Sequence, residues 1–378
     1  MSSLSKQYND YIAPEAIIWI NEEKLSKHGI FFSDLKVDMT TDGSDIFSFS
    51  IVDAINMEFE LKNSELFEFG NTVEIHIGYA DNTQSKSTLP ILFKGVITSV
   101  RWNFSENNYM DITVEGKDFS FLLMKHKSSD NGKQLTWNEM KDSEIVNKII
   151  DTSYGSLFSE IYIDSTQEKH HQVYYQEDND YNFVNNLAKK NGCEFFIQHD
   201  VLYFRQAPSV EKAKDNDITL SYGKEILSFS PEFNVEKEVT KVKVVGIEFQ
   251  NAKEKIIGEF PKSSHLETLS SDVTIKELLK NISNIEYEIK TAVNSVEDAN
   301  ILAEAKYDEL SSNLIKGELV SVGIPELKPG MYIQLKGLGT HFSTTYYITK
   351  AVHIFNNHGY EVRLSLKSHP NLFKKGKS

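Results

Sequence analysis

The chain is short of several things, and each shortage argues against a class of function. One cysteine, Cys193, stands in 378 residues, so no disulfide can close within the chain and no cysteine-based zinc site can form. That fits a protein made in a reducing compartment. Cys193 itself follows a helix stop and leads into a strand, where a buried inert thiol is the ordinary outcome. Prolines number 8 against 17 Tyr and 23 Phe, a balance that favours strand-rich structure over disordered linkers. Basic residues are outnumbered, 40 Lys and Arg against 55 Asp and Glu, for a formal charge of −15. A grip on duplex DNA spread over the surface needs clustered cations, so no specific nucleic-acid partner is expected. No apolar run approaches the roughly 18 residues of a bilayer span, and the start MSSLSKQYND lacks the charged-then-apolar pattern of a signal peptide. The expectation is cytoplasmic synthesis without stable membrane insertion. Phosphate loop, dinucleotide fingerprint, G-x-S-x-G elbow and H-E-x-x-H helix are all missing, and no cofactor is expected.

What is there is a long β pattern. From Ala16 to Val114, apolar runs at Ile17 to Ile20, Phe31 to Val37, Phe47 to Val52, Val73 to Tyr79, Ile91 to Val100 and Met110 to Val114 are bounded by turn chemistry such as Thr41-Asp42-Gly43-Ser44. Six strands at this spacing predict a sandwich or barrel. Asp118 to Met124 starts a helix or covers the barrel end, and Ser128 to Gly132 reads as a loop and a boundary.

A helical insert follows. Asp142 is placed to cap a segment with Ile145, Val146, Ile149 and Ile150 on one face. After a strand at Gln172 to Tyr175, Asp180 is placed to cap a second helix, whose Phe183, Val184, Leu187 and Ala188 form one apolar stripe. Gly192 stops it in the left-handed conformation, behind Lys189 and Lys190 at the negative end of the helix dipole. Phe195 to Ile197 and Leu202 to Phe204 then make a hairpin turning at His199 and Asp200.

Beyond Arg205 the β pattern returns at Ile218 to Leu220 and Ile226 to Phe233. An alternating run from Glu238 to Phe249 sets Lys241 and Lys243 against Val242 and Val244. Gln250 to His265 reads as a loop, Val273 to Ile282 as a short helix, and Ser295 as the start of a helix with Ala299 and Ala303 on a small-residue stripe that Gly317 closes off. The last strands are Leu319 to Ile324, Met331 to Leu335, Tyr346 to Phe355 and Tyr360 to Leu366, before a lysine-bearing tail. The division is 1–125, a first β domain; 126–205, an α+β module; 206–368, a second β domain with a helical excursion near 271–316; and 369–378, a flexible tail. The fold class is mainly β with an α+β insert, two similar barrel or sandwich domains flanking a small helical and hairpin module.

Two distant segments share an order of signals. Gly70 precedes Val73 to Ile77, then Gly95 to Val100, a turn at Asn107-Asn108 and Tyr109 to Val114. Gly330 precedes Tyr332 to Leu335, then Tyr347 to Val352, a turn at Asn356-Asn357 and Tyr360 to Leu364. Duplication explains this order, and so does the commonness of such successions in β proteins. Duplicated domains in three chains would present six similar units in a ring, a physical way to join sixfold to threefold symmetry.

Candidate chemistry is thin. His170-His171 with Glu168 suggests a metal site, but vicinal side chains on a strand point to opposite faces. His353 and His358 flank a turn without a third ligand at useful spacing. Carboxylates are abundant, with no pair fixed at a glycosidase separation. Gly337-Leu338-Gly339 reads as a hairpin connection. No catalytic or metal residue is assigned.

The residues do carry a resemblance. Asp180, Phe183, Leu187-Ala188, Gly192 and Phe195, followed by Leu202-Tyr203-Phe204, resemble the central segment of the baseplate hub family of contractile injection machines. That family includes late control protein D of contractile-tail phages, the hub portion of VgrG spike proteins, and the hubs of extracellular contractile devices. Phe93 to Ile97 with Gly95 resembles the F-x-G-x-I strand of its first domain, Asp142 to Val146 its insert helix, and Leu327-Lys328-Pro329-Gly330 with Tyr347 to His353 its closing β domain. Together these cover most of residues 15–368.

The resemblance implies two tube-like domains per chain in a homotrimer, with pseudo-sixfold symmetry, stacked on the inner tube or a tube initiator. Other implied partners are a separate spike protein, since the chain ends soon after Leu366, further baseplate proteins, and cargo or a tape-measure protein in the lumen. The product is a non-enzymatic structural protein assembled into the baseplate of a phage tail or tail-like particle, with Lys241, Lys243 or one face of Val73 to Tyr79 at ring or lumen positions. The alternative from another class is a tail-associated peptidoglycan hydrolase or glycan-binding protein.

Overall fold

Alternation of apolar and polar side chains builds the strands. Along Thr72–Tyr79, Val73, Ile75 and Ile77 are buried while Glu74 and His76 sit on the other face, the period of two that a sheet with one covered face imposes. The computed structural model describes the chain apart from residues 1–3, 53–59, 81–88, 105–109, 130–134, 168, 176, 209–217, 234–238, 240, 248–254, 261–285, 292, 294, 312–314 and 369–378. The first part holds β1 (Pro14–Ile20), β2 (Glu23–Lys24), β3 (Phe32–Thr40), β4 (Ile46–Val52), β5 (Thr72–Tyr79), β6 (Ile91–Phe104) and β7 (Met110–Lys117). The middle holds α1 (Ser120–Lys125), β8 (Thr136–Lys141), α2 (Asp142–Ser153), β9 (Glu160–Ile163), β10 (Lys169–Tyr174), α3 (Asp180–Lys190), β11 (Cys193–Gln198) and β12 (Val201–Gln206). The last part runs through β13 (Thr219–Ser221), β14 (Ile226–Phe233), β15 (Lys241–Ile247), β16 (Lys255–Phe260), β17 (Glu286–Lys290), α4 (Val296–Ser311), β18 (Ile315–Val322), β19 (Tyr332–Lys336), β20 (Thr345–Asn356) and β21 (Gly359–Ser368).

The first and last parts share one 13-stranded sheet in the order β14-β18-β21-β20-β3-β4-β7-β6-β5-β1-β2, with β19 on β20 and β13 on β19. Strand β3 is the seam, antiparallel to β4 on one side and to β20 on the other. One apolar core runs through both parts, from Phe47, Phe49 and Ile75 to Leu319, Ile348 and Leu364. The protein is thus β-rich with a small helical insert, as its strand patterning predicts.

The repeat is visible at the level of single hydrogen bonds. Gly70 N–H donates to Ile97 O (3.0 Å) and Ile97 N–H to Asn71 O (3.0 Å); Gly330 N–H donates to Ile348 O (2.9 Å) and Ile348 N–H to Met331 O (2.9 Å). Both glycines hold positive φ, 89° and 84°, where a side chain would be strained. A bulge follows each time, between Ile97 and Ser99 against β7 and between Ile348 and Lys350 against β21. A β-bulge re-aims and twists a strand, so β6 and β20 turn at equivalent places in the two successions β5-β6-β7-β4-β3 and β19-β20-β21-β18-β14.

Two further cores stand among the described residues. In the middle module, Trp137, Ile145, Ile149, Phe183, Val184, Phe195 and Phe204 pack together. In the excursion, α4 lies on the β16-β15-β17 sheet. Ala299 and Ala303 are fully buried there, and a Cβ on Gly258 would stand 2.5 Å from Ala299 Cβ, so the small-residue stripe does permit close helix-to-sheet packing.

Several expectations are corrected. Asn179, not Asp180, caps α3: its side-chain oxygen accepts the Asn182 N–H at 2.8 Å, and Asp180 is the first helical residue, turned inward. Asp142 likewise begins α2 one residue after the cap position Lys141 and is buried. Within Gln250 to His265, Lys255–Phe260 is strand β16, because Ile256 faces α4. Gly317 lies inside β18, where it accommodates the Phe229 ring 2.5 Å from the place of a Cβ, and α4 already ends at Ser311. The helix expected at Val273 to Ile282 lies outside the described residues.

Candidate functional site

Of the fingerprint residues, Asp180, Phe183, Leu187, Ala188 and Phe195 lie buried in the middle module, whereas Gly95 lies in β6 and Gly330 just before β19. Asp180 is fully buried. Its Oδ1 accepts from Tyr175 Oη (2.6 Å) and Ser128 N–H (2.8 Å), and its Oδ2 from Tyr154 Oη (2.6 Å), Ser128 Oγ (2.7 Å) and His126 Nδ1 (3.0 Å). Burial alone would push the carboxyl up; the two tyrosine hydroxyls, the Ser128 N–H and His126 outweigh it and hold Asp180 below the usual carboxylate range. The anchor joins the loop after α1, the end of α2 and the start of α3. Phe183, one turn on, stacks on Tyr175 at 4.6 Å and on Trp137 at 5.5 Å between ring centres. Leu187 and Ala188 are buried, and Phe195 packs on Tyr181. Gly192, at φ 64°, faces Ala305 of α4, with the place of its Cβ 3.1 Å from the alanine methyl.

The β11–β12 hairpin reaches both halves of the sheet. Asp200, in its turn, pairs with Lys94 of β6 at 2.8 Å. Burial works against that ammonium, but Asp200 and Glu74 outweigh it and raise its pKa. His199, adjacent in the turn, lies 3.0 Å from Lys328, in the connection before β19. Burial and the Lys328 ammonium push His199 down to about 3, so its neutral Nε2 accepts a hydrogen bond from the lysine N–H, and burial lowers Lys328 to about 8. At the hairpin's other end, Arg205 donates to Gly330 O at 2.7 Å with its guanidinium over the Phe196 and Tyr203 rings. The Tyr347 hydroxyl donates to Glu194. Gly95, next to Lys94, is a close approach: a Cβ there would stand 2.2 Å from Lys117 O. The geometry clamps three parts of the chain together.

The other candidates resolve into structural pairs. His170 is buried against Asp142 (2.9 Å), while His171 is exposed beside Glu139; the strand sends them to opposite faces as expected. His353 is enclosed, with Nε2 2.9 Å from Leu327 O and Nδ1 accepting from Tyr360 Oη at 2.7 Å, and burial drives it down to about 3. His358 sits in the exposed turn. Lys241 and Lys243, on the open face of β15, pair with Glu259 and Glu286. Asp45 and Asp118 lie together, fully buried, with Asp118 accepting from Ser44 Oγ (2.7 Å), Ser120 Oγ (2.5 Å) and Asp45 N–H (3.1 Å). Burial pushes Asp118 up to about 6, and burial with the Asp118 charge raises Asp45. Among the described residues, no three His, Cys, Asp or Glu side chains are grouped to hold a metal ion, and no helix is long and apolar enough to cross a membrane. Sequence reasoning missed the partners of Asp180: Ser128, His126 and Tyr154 lie 52, 54 and 26 residues away and leave no local signal, and Tyr175, five residues before it, lies outside the helix whose period the sequence shows.

This architecture is shared with tail proteins. The 43 kDa tail protein of prophage MuSo2 from Shewanella oneidensis matches at TM-score 0.69 and 12% identity, over 95% of this chain and 99% of that one. A tail protein from Neisseria meningitidis MC58 matches at TM-score 0.65 and 11% identity, over 96% and 98%. E. coli c3393, described as a type VI secretion system component with structural similarity to the T4 tail proteins gp27 and gp5, matches at TM-score 0.56 and 13% identity, over 89% and 73%. The fold is that of the phage and type VI tail proteins. Within it, residues 35–357 match the family model described as the Alg8 N-terminal domain, and the chain belongs to that family. No curated protein matches at the sequence level.

Proposed function

We propose that the chain is the structural hub of a contractile injection machine, a homotrimeric adaptor between a sixfold inner tube and a threefold spike. The observation that carries this reading is the repeat: two β units per chain, each with the same glycine contact and bulge at equivalent places, sit side by side in one sheet. Three chains then offer six nearly equivalent faces on one side, while the unrepeated module and the β15–β17 excursion occur three times. The clamp of Lys94 and Lys328 on one hairpin supports the same role, because an adaptor must hold its two units at a fixed angle. Its partners are the tube or tube-initiator protein, a separate spike, other baseplate proteins and the lumen's cargo or tape measure. It makes and breaks no bond, and its place is the baseplate of a phage tail or tail-like particle.

Light scattering together with a cell-wall lysis assay tests this. The reading expects a particle of three chains without lysis. A stable monomer that degrades peptidoglycan would replace it with a hydrolase.

A further inference from the structure

Among the described residues the sheet leaves two open strand edges, one along β14 and one along the far end of β6, that the chain itself shows how to join. At the seam, Lys350 to Phe355 of β20 pair antiparallel with Leu35 to Thr40 of β3, with His353 opposite Val37 and Phe355 opposite Leu35. The glycine contact and the bulge make Ile97 the counterpart of Ile348, so Ser99 to Phe104 of β6 is the counterpart of the seam segment. Register carries the equivalence across the other strands. Val37 faces Phe47 and then Gly116 and Ile97, just as Pro231 faces Gly317 and then Leu366 and Ile348. Strand β14 is therefore the counterpart of β3.

Neither counterpart meets the other within the chain. Strand β6 pairs with β5 only as far as Val96, and β14 pairs with β18, so each has one side with no strand among the described residues. The difference shows in exposure: Trp102 is 46% exposed where its counterpart His353 is 1% exposed, and Phe104 is 66% exposed. Open edges of this kind invite another strand.

We infer that the β6 edge, Ser99 to Phe104, takes the β14 edge of a second copy of this chain as an antiparallel strand, in the register of the internal seam. This rests on the trimeric hub reading and assigns its contact surface. Trp102 then faces Pro231 of the next copy, Phe104 faces Phe229, and Asn103 faces Ser230. Arg101, which within the chain lies 3.4 Å from Glu115, then faces Glu232 as an opposite-charge pair; in the internal seam Asp38, the counterpart of Glu232, stands opposite Val352 and meets a cation diagonally, Lys350 at 3.0 Å. The contact is head to tail, so it either closes into a ring or runs on as a filament. Pro231 carries no N–H, and proline within sheets is confined to edge strands, in keeping with the place of β14 at an edge.

The test is a cysteine pair, Asn103→Cys with Ser230→Cys, treated with oxidant or a short bis-maleimide. Six strands separate the two positions within a chain, so a link between them is intermolecular. Single variants and the shifted pair Asn103→Cys with Ser228→Cys are controls that also account for Cys193. Expected is a ladder ending at three linked chains for the registered pair alone. A three-chain particle by light scattering with no registered link would overturn the edge pairing and leave the hub reading standing. Links running past three chains would support the edge pairing and overturn the trimer, and a monomer with no link would overturn both. A second arm uses Arg101→Glu, expected to shift assembly toward monomer, with recovery on adding Glu232→Arg; no shift from Arg101→Glu would count against the register.

Discussion

Removing the Asp180 carboxylate should loosen the middle module more than any surface change. In Asp180→Ala, the Ser128 N–H and the hydroxyls of Tyr154 and Tyr175 lose the acceptor they share, inside a site closed to water. An unsatisfied buried donor costs about 1–3 kcal/mol. The tyrosine hydroxyls can rotate toward other partners, whereas the backbone N–H cannot. His126 is half exposed and regains water. A loss of roughly 3–5 kcal/mol follows, in the range for breaking a buried charged network. Asp180→Asn keeps one oxygen for Tyr175 and Ser128 N–H and can donate its amide to Ser128 Oγ and Tyr154 Oη, so its cost should be about 1–2 kcal/mol. Amide exchange over residues 126–206, read by mass spectrometry, isolates this module from the other two cores. Equal exchange in wild type and Asp180→Ala would refute the anchor, and an Asn variant as unstable as Ala would show that charge outweighs geometry.

The remaining predictions concern pH and glycine. Asp118 has a folded pKa near 6 against an ordinary 3.8, so the folded state binds more protons between about pH 4 and 6 and stability falls as pH rises through that window, by about 2–3 kcal/mol. Thermal melts of Asp118→Asn should show that slope flattened; an unchanged slope would clear the carboxylate pair. His353 acts with the opposite sign: folded it stays neutral down to about 3, while the unfolded residue charges below 6.5, so stability is full above 6.5 and is lost as pH falls. His353→Gln should reduce this acid loss, read as the difference from wild type at each pH. Gly330→Ala sets a Cβ at positive φ, 2.9 Å from Arg205 Nη2 and Phe196 Cζ, and should cost at least 1–2 kcal/mol by urea unfolding, with Gly359→Ala as a control that lies in open space at φ 118°.

Legibility in the sequence followed locality. Strands with one covered face, such as β5 and β21, are readable because burial imposes a period of two, and the apolar run Ile226 to Phe233 coincides with β14. The stripe of α3 was equally plain. Strands β8, β9 and β17 were not, since their mostly exposed or half-buried residues carry no alternation strong enough to register. Asp180 reads locally as a helix cap, yet its acceptor role depends on Ser128 and Tyr154, 52 and 26 residues away. Gly317 misled because close approach to a ring and a helix stop ask for the same residue. The order of the repeat was legible, whereas the fusion of both units through β3 and β20 was not, because register between distant strands is fixed by packing across the whole sheet.

The hub account meets its most direct test in an averaged electron-microscope image of the purified oligomer, viewed down its axis. The account predicts six similar lobes built by three chains, with three smaller features at the periphery. A ring of six chains, or a three-chain particle without sixfold character, would contradict it.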